Sequence, residues 1–309
     1  MALRTRAGPR RDSSACPPAP ETALGYAQAV TLIQVGEHEL DYERSGTPGA
    51  PPLLLIMGMS GTSLHWGEAF LEELRPSFDV IAFDHRGVGA STPLDGAITI
   101  AEMAEDTAGL LAALSIGEAH VVGISMGGMI AQELALAHPE LVRTLTLGAT
   151  YCGGEGSALS APEVVQKLAE AMLSGDRERA LRVGFEVNVS RGAEAANPAL
   201  YPQMLSIAEQ RAVAVPVIMA QMQACAAHDT SERLAGVRAP TLVVHGTEDE
   251  LLPVQNGRAI AARIRGARLE ILDGAGHLFF WEQPQRSAEL VREHTGVGVP
   301  ADRQAGAPA

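Results

Sequence analysis

The chain of 309 residues holds 46% hydrophobic and 19% charged side chains, the balance of a globular protein able to bury a sizeable core. Its formal net charge of −14 argues against nucleic acid or an anionic membrane surface as the main partner, and no apolar run reaches the roughly 18 residues of a membrane span. Cys16, Cys152 and Cys225 are too scattered for a disulfide framework or a metal-ligand spacing, which leaves reduced thiols in a cytoplasmic protein as the simplest expectation. The length suits one large α/β domain, alone or with an inserted subdomain. Monomer and homo-oligomer are both open.

Arg4, Arg6, Arg10 and Arg11 lead into a Pro/Ala-rich segment without hydrophobic periodicity, so residues 1–28 are expected to be a disordered extension. The pattern changes near Val30. Residues 31–35 and 38–44 alternate as two strands of a hairpin turning at Gly36. Leu53 to Met57 and Asp79 to Phe83 are short continuous apolar runs, the sign of strands buried on both faces, with a helix near 68–74 between them. Ile100, Met103, Thr107, Leu110, Leu111 and Leu114 recur at helical spacing. A further apolar run ends at Ile124, a helix-prone segment runs from Met126 toward Ala137 until His138-Pro139 stops it, and 142–147 reads as the next strand. Strand alternating with helix implies a mostly parallel, twisted sheet flanked by helices.

Between 151 and 237 the alternation stops. Two or three helical stretches, near 162–174, 176–190 and 199–227, are interrupted by Pro198, Pro202 and Pro216, and no strand is convincing. An all-helical insertion in an α/β chain is expected to be a lid. The strand–helix pattern returns at 241–245, 254–265, 268–272 and 284–294, so the core is expected from residues 29–150 and 238–295. The Gly/Pro/Ala-rich tail, 296–309, is expected to be disordered.

Chemistry concentrates at the ends of the predicted strands. Gly123-Ile124-Ser125-Met126-Gly127 puts a serine on a sharp turn between strand and helix, with glycines where the two must pack closely. A serine hydroxyl is a weak nucleophile at neutral pH and needs a general base held by a carboxylate. Of nine histidines, His277 stands out, because Gly274-Ala275-Gly276-His277 follows the last predicted strand at the edge where open parallel sheets build sites. His65, His85, His228 and His245 could approach a site, but each has a credible packing role. Asp249 is the favoured orienting acid, with Glu248 and Glu250 as its rivals in the same loop. The backbone N–H of Met126, at a helix N-terminus, and that of Met59, in the loop after the early buried strand, are the candidate oxyanion donors.

Leu55-Ile56-Met57-Gly58, Phe83-Asp84-His85-Arg86-Gly87-Val88-Gly89-Ala90-Ser91, the serine turn with Gly128, His245-Gly246-Thr247-Glu248-Asp249 and Gly274-Ala275-Gly276-His277 together resemble the α/β-hydrolase superfamily. The resemblance spans about 30–295. It is nearest to small cofactor-free carboxylesterases and aclacinomycin-type methylesterases, with enol-lactonases and cofactor-free haloperoxidases also similar. It implies an α/β-hydrolase fold, the order Ser125, Asp249, His277 for the catalytic residues, no cofactor or metal, and a small-molecule ester as substrate. A perhydrolase, an enol-lactonase, a C–C bond hydrolase or a non-catalytic binding protein would use the same scaffold. Met57-Gly58 departs from the His-Gly common in the family and removes a polar contact while keeping the backbone donor. Ser125 in place of aspartate argues against dehalogenase and epoxide-hydrolase chemistry.

Overall fold

The computed structural model describes residues 30–298; the expected extension at 1–28 and the tail beyond 298 lie outside the described residues. Strands β1 (Leu32–Val35) and β2 (His38–Gly46) form the expected hairpin, followed by β3 (Pro52–Ile56), α1 (Glu68–Leu74), β4 (Asp79–Phe83) and α2 (Ile100–Ala113). Next come β5 (Ala119–Ile124), α3 (Met126–Ala137) and β6 (Val142–Gly148). Helices α4 (Pro162–Leu173), α5 (Arg177–Asn188), α6 (Ala193–Ala196), α7 (Leu200–Gln210) and α8 (Val215–Ala227) are inserted before the alternation resumes. It resumes with β7 (Thr241–Gly246), α9 (Gln255–Arg263), β8 (Arg268–Leu272), α10 (Phe279–Glu282) and α11 (Pro284–Thr295).

The eight strands form one sheet in the order β1-β2-β4-β3-β5-β6-β7-β8. The hairpin is antiparallel and adds to β4 antiparallel, while every pairing from β4 through β8 is parallel. Every residue of β4, β5 and β7 is buried, as the continuous apolar runs require of strands covered on both faces. Successive side chains alternate between two cores. Leu54, Ile56, Ile81, Phe83 and Val121 pack with α2, α3 and α9 on one face; Leu53, Leu55, Val80, Ala82 and Val122 pack with α1, α10 and α11 on the other. Helix α2 starts on a capping box, in which Thr99 Oγ1 accepts from Glu102 N at 3.1 Å and Glu102 Oε2 accepts from Thr99 N at 2.8 Å.

The structure divides the single helical stretch expected at 199–227 into α7 and α8. Arg211, at the break, turns inward to Asp41 and Asp84, and Pro216 sits in the first turn of α8, where its missing N–H costs nothing. Helices α6 and α10 are four residues each, too short for periodicity to reveal.

Main chain packs tightly against main chain at the junction of β3, β5 and α3. A Cβ on Gly123 would sit 2.3 Å from the Gly127 carbonyl oxygen, and one on Gly127 would sit 2.0 Å from that of Ile56. Both obstacles are main chain and cannot swing aside. Gly127→Ala is therefore expected to lower stability by more than the roughly 1–3 kcal/mol of ordinary overpacking. Gly184→Ala in α5, where an added Cβ meets nothing within 4 Å, should hold or raise stability by up to about 1 kcal/mol. Chemical denaturation of the two variants beside the parent checks both signs.

Candidate active site

Ser125 joins β5 to α3 with φ 57° and ψ −122°, a left-handed backbone that a non-glycine residue adopts only under external constraint. The constraint is visible. Ser125 N donates to Gly148 O at 3.0 Å, and Thr150 Oγ1 donates to Ser125 O at 2.7 Å. The side chain is part-exposed and stands beside the end of β3, since a Cβ on Gly58 would lie 3.1 Å from Ser125 Cβ.

The parallel strands bring the other predicted residues to the same edge. Ala149 N donates to Val244 O, Thr247 N to Leu272 O and Glu248 N to Ala275 O, tying the ends of β6, β7 and β8 in sequence. Asp249 lies in the turn after β7, and its Oδ1 accepts from Leu251 N at 3.0 Å and Leu252 N at 2.8 Å. Its Oδ2 meets His277 Nδ1 at 2.8 Å. Burial alone would raise the Asp249 carboxyl. The charge of His277 and hydrogen bonds from His245 and His277 outweigh it, and the net shift is well below the ordinary carboxylate range. An ionised carboxylate only accepts, so Nδ1 of His277 carries a proton toward Asp249 and Nε2 is the ring nitrogen not committed to it. Asp249 and His277 are thus brought together; the Ser125 hydroxyl makes no hydrogen bond with them or with any other described residue.

Glu248 and Glu250 face elsewhere. Glu248 Oε2 accepts from Arg191 N at 3.1 Å, and Glu250 pairs with the exposed Arg191 side chain at 3.4 Å. The His277 loop is held from below by Glu282, which accepts from Gly276 N at 2.9 Å and Ser190 N at 3.1 Å, and from the Ser190 hydroxyl. Burial pushes the Glu282 carboxyl up against the effect of these donors.

Residues 57–63, which carry the Met59 N–H, are fixed at several points. His85 Nε2 donates to Met57 O at 3.0 Å, Ser63 N donates to Asp84 Oδ1 at 2.6 Å, and Ser60 N donates to Gln221 Oε1 of α8 at 2.9 Å. Burial lowers the His85 pKa, keeping the ring neutral and suited to a single donated hydrogen bond. Met126 is fully buried, whereas Met59 is 36% exposed. Asp84 in turn meets Arg211 at 2.6 Å, and the same guanidinium reaches Asp41 at 2.8 Å.

Sequence reasoning named His85 and His245 as able to approach a site but gave them packing roles, and it missed Gln221. His85 braces the loop after β3, Gln221 reaches that loop from α8, and His245 Nε2 lies 2.6 Å from Leu252 O and 3.3 Å from Asp249 Oδ2. The signal for His85 and His245 is their place at the end of a buried strand. Gln221 carries none. His65, His120 and His228 are each pushed down to about 4 by burial. Among the described residues, no cluster of three or more His, Cys, Asp or Glu side chains is arranged to hold a metal, and no helix is long and apolar enough to cross a membrane.

A strained serine at a strand-to-helix turn, with a histidine–aspartate pair after β7 and β8, is found on a sheet whose family model, the α/β-hydrolase fold, matches residues 51–284. The chain belongs to the α/β-hydrolase family. A putative carbamate hydrolase of Azorhizobium caulinodans is 31% identical over 83% of this chain and 94% of its own. A poly(3-hydroxyalkanoate) depolymerase of Ectopseudomonas oleovorans is 32% identical over 80% of this chain and 85% of its own. The crystal structure of a Pseudomonas aeruginosa hydrolase, 30% identical, superposes with a TM-score of 0.74 over 87% of this chain and 99% of that one. This α/β-hydrolase is an enzyme, as its relatives are.

Glu282 gives a test of how the His277 loop is held. Glu282→Ala leaves the Gly276 and Ser190 N–H groups without their acceptor and should cost about 1–3 kcal/mol for each group that water does not reach. An unchanged midpoint in denaturant would mean that the carboxylate does not support the loop.

Proposed function

We propose that this α/β-hydrolase is a serine enzyme cleaving a small to medium carboxylic ester through an acyl-enzyme. The observation that carries the reading is the Asp249–His277 hydrogen bond of 2.8 Å at the sheet edge where the elbow presents Ser125. With Nδ1 committed to Asp249, His277 Nε2 is the base that takes the Ser125 proton as Oγ attacks the carbonyl. The backbone N–H groups of Met126 and Met59 receive the oxyanion, each such donor supplying roughly 2.7–4 kcal/mol in comparable enzymes. His277 then protonates the leaving alcohol and afterwards activates the water that releases the acid. Asp249 stays ionised and holds the imidazole tautomer.

The helices between β6 and β7 act in this reading as a lid over the site, with the cap formed by 151–237 and the core by 29–150 and 238–295. Met219 and Met222 on α8 are 44% and 40% exposed, a flexible apolar surface suited to an alkyl acyl or alcohol group. The depolymerase and carbamate hydrolase relatives support bond cleavage at an acyl group. Free Cys152 and Cys225 fit the cytoplasmic setting included in the proposal.

A fluorophosphonate probe should label the purified protein and leave Ser125→Ala unlabelled. On p-nitrophenyl esters, Ser125→Ala and His277→Ala should abolish turnover, and Asp249→Asn should lower kcat by roughly 10⁴-fold with an unchanged circular dichroism spectrum. Full activity in Asp249→Asn would sink the assignment of the acid. Peroxide-dependent halogenation or β-diketone cleavage faster than ester hydrolysis would replace the reaction while keeping the residues.

A further inference from the structure

We infer that Gln221 is a positioning and substrate-selecting residue, and that the preferred ester carries a second hydrogen-bond-accepting oxygen close to the scissile bond. The inference rests on the serine-hydrolase reading and deepens it by naming the substrate class.

Gln221 lies on α8 and is 1% exposed. Its neighbours Ala220 and Ala224 pack into the core, and the Tyr151 hydroxyl donates to Cys225 O, so the helix is seated on the sheet edge along this face. Gln221 Oε1 accepts from Ser60 N at 2.9 Å. An amide nitrogen cannot accept from an N–H, so this contact fixes which end of the carboxamide is which. Nε2, bonded to the same carbon, is then buried beside the Met59–Ser60 turn, and it has no hydrogen-bond partner.

The two ends of this side chain have different consequences. Ser60 has φ 58°, a left-handed conformation for a residue with a side chain, and it directly follows Met59. The ends of its loop are held by core residues, Met57 O by His85 and Ser63 N by Asp84, whereas the middle is held by Gln221 from the inserted helices. The acceptor end therefore positions the turn that presents the Met59 N–H.

The donor end is unusual. Buried amide groups are almost always paired, and Gln132, 0% exposed near the same face, shows the ordinary outcome. Its Nε2 donates to Tyr151 O at 3.1 Å and its Oε1 accepts from the Thr230 hydroxyl at 2.6 Å. Gln221 satisfies one end only, at a turn reached from Gly58, whose backbone abuts Ser125. In this inference an acyl or alkoxy chain seated over Ser125 runs past this donor. A plain alkyl chain leaves it unpaired; an ether, keto or hydroxy oxygen completes it.

The test uses isosteric pairs in which one oxygen replaces one methylene: p-nitrophenyl methoxyacetate against p-nitrophenyl butyrate for the acyl side, and 2-methoxyethyl acetate against butyl acetate for the alcohol side. Rates are normalised to hydroxide-catalysed hydrolysis of the same ester, which removes intrinsic reactivity. In the wild type, kcat/KM should favour the oxygenated member of one pair by roughly 5-fold, the effect of one net hydrogen bond of ordinary strength. Gln221→Met should erase that preference, mainly through KM, and should lower kcat on both members through the loosened Ser60 turn.

No normalised preference in the wild type, or the same preference in Gln221→Met, overturns substrate selection. Unchanged kcat on both members in Gln221→Met overturns the positioning role. The wild-type comparison stands even if the variant does not fold. Fluorophosphonate labelling of Ser125 keeps the two levels apart: a wild type that neither labels nor hydrolyses any of the esters fails the serine-hydrolase reading, while a labelled, active enzyme without the preference fails only the inference about Gln221.

Discussion

At the junction of β3, β5 and α3, main chain meets main chain with no space for a Cβ on Gly123 or Gly127. Much of the site geometry follows from that contact. Because α3 starts so close to β5, the residue between them must reverse the chain within one position, and Ser125 takes up a left-handed backbone to do so. Such a conformation costs of order 1–3 kcal/mol, offset by the bonds that Gly148, Thr150, Gly128 and Met129 make to its main chain. The loop leaving β3 is bound by the same contact, since Gly127 abuts the Ile56 and Met57 carbonyls. The serine and the neighbouring N–H groups are therefore positioned by one piece of packing.

The inserted helices attach to the core through polar contacts that fall beside site loops. Arg211 bridges Asp41 and Asp84, and Asp84 also accepts from Ser63 N. Ser190 shares Glu282 with Gly276, the residue before His277, and Leu278 N donates to Asn188 O. Arg211 is 15% exposed and its two carboxylates 0% and 4%, so solvent does little to stabilise either partner without the other. Breaking such a pair strands buried charge, whereas replacing it by apolar packing is often neutral. What the Arg211 arrangement contributes is thus registration of insertion against core more than net stability.

Much of this was legible in the sequence because it rests on local patterns. Continuous apolar runs at 53–57, 79–83 and 119–124 announced buried parallel strands, and spacing from Ile100 to Leu114 announced α2. The elbow was legible because its glycines and its serine are consecutive. Asp249 and His277 could be picked out because each follows a strand, and a parallel sheet sends all such positions to one edge. The remainder depends on contacts between segments far apart in the chain. Gln221 and Ser60 are 161 positions apart, and Arg211 and Asp41 are 170. No periodicity links them. The break at Arg211 eluded helical spacing for the same reason, since the residue leaves the helix to reach carboxylates contributed by β2 and the end of β4.

The Asp249 carboxylate illustrates why a local signal sufficed for the residue but not for its surroundings. A short side chain at the end of a strand can fold back on its own turn, and Oδ1 takes the N–H groups of Leu251 and Leu252. A glutamate at the same position would carry its oxygens past those donors, so the turn itself selects aspartate. That occupation leaves Oδ2 for the histidines. His245 is drawn more strongly to the Leu252 carbonyl, at 2.6 Å, than to Oδ2, at 3.3 Å, and the shorter contact of 2.8 Å goes to His277. Each oxygen then has an assigned partner, the carboxylate cannot rotate without losing bonds at both ends, and the imidazole it holds keeps its proton on Nδ1. In the proposed reaction, a base with its free nitrogen directed away from Asp249 follows from those backbone bonds, with no need for the carboxylate itself to exchange a proton.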